Sequence, residues 1–220
     1  MADNDDYDDI SVDEMNAIDA EVMGGNGPNP SATYNLAYLM VRSALTPAHI
    51  KQLRNDRTTC MIIEAPSSQW VTPLEHAAKR LGQWKFVHSA KEAPRKSGHS
   101  EFSGDQATSA LAAGGRVLGV SQNPTAYLPK SMTSSADIVL KIDTPDNEII
   151  REVIKLATAR MPRTMPPGIA AGLDYPEICA AIRVGSSAKA CVERLVAASR
   201  SKSQVDPGLA HVPPFESLHG

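Results

Sequence analysis

Four short apolar runs, set apart by stretches of helical character, constrain this chain more than any other feature. They are Thr59–Glu64, Trp84–His88, Arg116–Ser121 and Asp137–Ile142. Each has the length of a strand, and the residues between them carry helix signals: Thr72-Pro73 opening a helix to Leu81, and an alanine-rich Ser103–Ala113 stopped by Gly114-Gly115. Strands that alternate with helices and are apolar on both faces predict an α/β fold, a mainly parallel sheet covered by helices on both sides. Composition agrees, because 42% of residues are hydrophobic and only 5% aromatic, which gives an aliphatic, alanine-rich core rather than an all-β sandwich.

Around this core the pattern predicts further parts. Residues 1–31 are acidic and then Gly/Asn/Pro-rich, with too little apolar surface to offset chain entropy, and are expected to be a disordered tail. Residues 32–57 form a helical lead-in: Leu36, Leu39, Met40 and Ser43 recur at helical spacing, and Thr46-Pro47 caps a second helix reaching about Asn55. The α/β core takes 58–160, with Ser89–Phe102 as a mobile surface loop and Thr144-Pro145-Asp146 starting a last helix to about Arg160. Met161–Gly172 reads as a flexible connector into a helical lid (161–200), with helices at Asp174–Ile182 and Ser186–Ser199, and 201–220 as a linker.

The net charge of -3 conceals a division. Residues 1–22 hold nine acids and no base, which leaves 16 acids against 22 bases in the rest. Those bases are dispersed and show no alternation with aromatics, so a solvated surface is expected and nucleic acid is not an expected partner. Cys60, Cys179 and Cys191 form no C-x-x-C pair and lie in apolar stretches, as small buried thiols do. With no basic-then-apolar leader and no run long enough to span a bilayer, the expected location is cytoplasmic, away from membranes.

The stretch Arg116–Ile154 resembles the second half of a AAA+ ATPase core. Gln122-Asn123-Pro124 stands where that family ends a strand in a polar sensor residue, Leu128-Pro129 where a short helix begins, Ile138–Ile142 where the last strand runs, and Pro145-Asp146 where the first lid helix opens. The resemblance covers roughly residues 58–200 and implies a P-loop NTPase-like core with a small helical lid. Phe215-Glu-Ser-Leu-His-Gly220 is similar to the segment that opens the catalytic module in tandem members. It therefore implies an N-terminal, non-catalytic regulatory or interaction module, with ATP and Mg²⁺ belonging to a catalytic module beyond Gly220. The implied partners are that module and neighbouring subunits of a homo-oligomer.

The departures are chemical. Ala65–Thr72, between the first strand and its helix, has no glycine to converge amides on phosphate, no lysine for the β/γ-phosphates and no Lys-Ser/Thr pair for Mg²⁺. No strand ends in Asp-Glu, and Ser131–Ala136 replaces the Arg-rich turn that reaches a neighbouring nucleotide. No catalytic residue, cofactor or metal is therefore assigned to this chain. Four residues keep alternative readings: Ser67, Ser68 and Gln69 either hold an anion at a helix start or simply cap a loop, and Asn123 either senses a ligand or caps a turn. Trp70 is either an exposed anchor for a partner or a lid on the core. The spacing of His88, Glu92, His99 and Glu101 fits no metal pattern, and Ser100 with His99 and Asp105 lacks the strained elbow of a hydrolase. The rival to the module reading is a stand-alone α/β protein that binds a small ligand at the loops after its strands.

Overall fold

The computed structural model describes residues 31–93 and 99–204. Thirteen elements are formed within them. Helix α1 spans Ala32–Ala44 and α2 Pro47–Asn55, the second capped by Thr46, whose hydroxyl accepts from the His49 amide. Strand β1 (Cys60–Glu64) leads to α3 (Ser68–Lys79), β2 (Phe86–Ala90) to α4 (His99–Ala112), and β3 (Val117–Ser121) to the single-turn helices α5 (Pro124–Tyr127) and α6 (Lys130–Thr133). Strand β4 (Ile138–Lys141), α7 (Asn147–Thr158), α8 (Tyr175–Ala181) and α9 (Ala188–Gln204) complete the order.

The fold class is as the sequence predicts. The strands form one sheet in the order β2-β3-β1-β4, and every pairing is parallel, with Met61 opposite both Leu118 and Ile138. Helices lie on both faces. On one face Met61, Ile63, Leu118, Val120, Ile138 and Leu140 join a large cluster with α1, α3, α7, α8 and α9. On the other, Cys60 and Val117 meet Ala107 and Ala110 of α4 and Met132 of α6. Gly119 eases the second packing: a Cβ there would lie 2.8 Å from the end of the Leu128 side chain and 2.9 Å from that of Met132, so both would have to move aside.

Several boundaries differ from the sequence prediction. Helix α3 begins at Ser68 rather than at Thr72-Pro73, because Ser67 supplies the cap and Trp70, Val71 and Leu74 bury one face, so that Pro73 sits inside the helix. Strand β2 lies two residues further on than Trp84–His88, since the Trp84 indole turns back to donate to the Ala78 carbonyl at 3.0 Å. Of the expected loop at Ser89–Phe102, Ser89 and Ala90 belong to β2 and His99–Phe102 to α4, while 94–98 lie outside the described residues. Asp146, not Thr144, caps α7, its carboxylate accepting from the Ile149 amide at 2.8 Å. The tail up to residue 30 and the linker from 205 also lie outside the described residues.

Two corrections bear on packing. Strand β4 is not apolar on both faces in use: Ile138 and Leu140 are buried, whereas Val139 is 60% exposed, because the short α5 and α6 cover β1 and β3 and leave the edge strand open. The connector after α7 is anchored. Asn147 donates to the Pro166 carbonyl at 2.8 Å and accepts from the Ile169 amide, and Ile169, Ala170 and Leu173 are buried in the main cluster.

Candidate functional site

The sheet topology selects one end of the molecule. From β1 the chain leaves over the α3 face toward β2, whereas from β3 it leaves over the other face, through α5 and α6, toward β4. Adjacent strands β1 and β3 thus send their connections apart, which opens a crevice at their carboxyl ends, the usual place for a ligand in such sheets. The groove found there measures about 450 Å³. Ile62 and the exposed Val139 give it apolar surface, while Glu64, Asn123, Thr125 and Thr133 give polar groups. Lys141 at the end of β4 stands 4.0 Å from Glu64, its own side chain largely in solvent and that of Glu64 half-buried.

Asn123 lines this groove, and its local role is that of a cap. Its amide oxygen accepts from the Ala126 amide at 3.3 Å and from the Thr125 hydroxyl at 3.0 Å, at the start of α5. The Asn123 amide is itself received by the fully buried Ser121 hydroxyl. Gln122 also lines the groove, its side-chain amide donating to the Lys91 carbonyl at 2.9 Å.

The loop after β1 is tied to the start of α8. Ser67 is extended, caps α3 by accepting from the Gln69 amide at 3.2 Å, and donates its hydroxyl proton to the carboxylate of Asp174, 2.8 and 3.0 Å from the two oxygens. Asp174 also caps α8, accepting from the Tyr175 amide, and its own amide donates to Glu177 in a capping box. One carboxylate therefore serves the N-terminal ends of two helices, where backbone dipoles favour negative charge. Gln69 is exposed and Ser68 half-buried beside it, and neither side chain hydrogen-bonds a described residue. The sequence offered no sign of the Asp174 contact, because the partners are 107 residues apart.

Next to this contact Trp70 is 1% exposed, so it is a lid on the core rather than an exposed anchor. Its ring meets that of Tyr175 edge-on at 5.1 Å, and the Tyr175 hydroxyl donates to the Thr33 carbonyl at 2.6 Å. Burial, then the neighbouring Cys179, pushes the Tyr175 phenol well above its ordinary range, which keeps the proton this bond needs. Burial likewise raises the Cys60 thiol to about 11, with Asp137 adding to it, and the Cys179 thiol to about 11. These thiols are not poised as nucleophiles.

The remaining candidates do not assemble. No group of three or more potential metal ligands occurs among the described residues, and the side chains of His99, Ser100 and Glu101 lie outside them. His88 stacks in parallel on Phe86 at 6.3 Å, and burial lowers its pKa. A depressed folded pKa means that His88 favours folding fully above the unfolded value of about 6.5, a contribution lost as pH falls through the folded pKa. Melting temperature is therefore expected to drop between pH 7.5 and 5, and His88→Gln to flatten part of that slope. An unchanged slope in the variant would show that other groups carry it.

No helix among the described residues is long and apolar enough to cross a membrane. Comparison with protein-family models, curated proteins and solved structures gives no match.

Proposed function

We propose that this chain is a non-catalytic interaction or regulatory module of a AAA+ ATPase, whose ATP hydrolysis resides in a module following Gly220. The observation that supports the reading is the Asp174 carboxylate on Ser67: an acid from the C-terminal helices stands at the start of α3, where an active member of that family would hold phosphate. A nucleotide phosphate would meet like charge there, with no lysine to offset it. The parallel sheet with a lid on one face suits the same reading. Its partners are the catalytic module and neighbouring subunits, in a cytoplasmic homo-oligomer.

A specific feature favours a second reading, a small ligand bound in the groove between the β1 and β3 ends, because that groove lies at the topological switch point and is lined by both polar and apolar groups. Phosphate release with Mg²⁺ and ATP tests the first reading. The chain is expected to show only background turnover, and Asp174→Ala to show no more, since removing the acid restores neither lysine nor metal-binding hydroxyl. Turnover that a change at Thr72 or Asp105 abolishes would overturn the proposal. Reading the gene beyond Gly220 discriminates the two: a Gly-Lys-Thr segment supports the module, and a stop codon there supports the small-ligand protein.

A further inference from the structure

At the opposite end of the sheet, the segments entering β1, β2 and β3 bring Arg57, Lys85 and Arg116 around one groove of about 470 Å³, together with Gln83 and Trp84. Gly115 permits this convergence, because a Cβ there would lie 2.7 Å from that of Lys85. Arg116 donates from Nε and Nη2 to the Asp56 carbonyl at 3.0 and 2.8 Å, a neutral acceptor that fixes the guanidinium without cancelling its charge. None of the three bases forms an ion pair with an acid among the described residues. Asp56 is the one acid beside them in sequence, and its side chain is exposed.

We propose that this groove is the docking surface for the acidic segment at residues 1–22 of the same chain. Charge is the first argument, since nine acids without a base face three bases without an acidic partner. Reach is the second. Near the start of α1 the Tyr34 carbonyl accepts from Arg80 at 3.1 Å, and two residues on, the Cβ position of Gly82 is 2.9 Å from Arg116 Nη1. These contacts link the start of α1 to Arg116, and the eight residues 23–30 extend to about 26–29 Å. Tethering raises the effective concentration of the segment to about millimolar, so a weak contact is populated within one molecule. Tyr7, Ile10 and Val12 give the segment apolar groups that suit the half-buried Trp84.

The test uses the full chain with a paramagnetic label on an introduced cysteine, Ser11→Cys. At about 0.02 M salt the amides of Trp84, Lys85 and Gly115 are expected to broaden, and the effect to fall roughly tenfold at about 0.3 M, where the Debye length shrinks to a few ångströms. Arg57→Glu with Lys85→Glu, both on exposed side chains, is expected to abolish the broadening. Lys189→Glu on α9, 87% exposed, is expected to leave it. Broadening centred on another face, its persistence in the double variant, or its absence at low salt would overturn the proposal. Absence combined with binding of a single-stranded oligonucleotide at Trp84 would assign the groove to nucleic acid instead.

Discussion

Trp70→Ala is expected to destabilise the chain by about 3–5 kcal/mol, the range for emptying a buried aromatic site. The indole is 1% exposed, lies in the main cluster and packs edge-to-face with the Tyr175 ring at 5.1 Å. Tyr175→Phe should keep the ring contact and lose the hydroxyl's bond to Thr33 and its interaction with Cys179, for about 0.5–1.5 kcal/mol. Denaturant melts of both variants measure the difference. A Trp70→Ala cost under about 1 kcal/mol, within the range of a surface change, would mean that the indole does not pack as described.

The second large effect is expected at Leu195, fully buried in α9. Leu195→Ala should cost about 2–5 kcal/mol. The sequence predicts a flexible connector into the helical lid, but the packing argues for a shared fate. Leu195, Ile178 and Ile182 belong to the same cluster as Leu36, Leu74 and Ile150, and the connector contributes Ile169, Ala170 and Leu173 to it. Hydrogen exchange on Leu195→Ala is therefore expected to lose protection evenly over the sheet and the lid. Loss confined to residues 174–199 would restore the independent lid.

The strands and most helices were legible because their signals are local. Period, run length, Thr46 before Pro47 and Gly114-Gly115 each act within a few residues. Misreadings arose where two local signals competed. Ser67 and Thr72 both precede plausible helix starts, and burial of Trp70 and Val71 decided for the first. At Thr144-Pro145-Asp146 the nearer carboxylate took the cap that the proline signal had moved two residues earlier.

The candidate site was legible only in outline. Its strand ends could be located, and Asn123 does lie at one of them, but the groove depends on which strands are neighbours, and β1 lies between two strands much later in sequence. The Ser67–Asp174 pair is further still from sequence logic: serine before a helix and aspartate before a helix are each complete as caps. Nothing in either motif announces that one carboxylate serves both.

That shared carboxylate also orders events during synthesis. When the ribosome has made Ser67 and Trp70, the residues that will close over them lie 107 and 105 positions ahead. At about 5–20 residues per second, the wait is roughly 5–20 s. Throughout it the nascent chain holds an indole without its aromatic neighbour and a serine hydroxyl without its carboxylate. Chaperone capture of the growing polypeptide should therefore be strongest after α3 emerges, and end when α8 does.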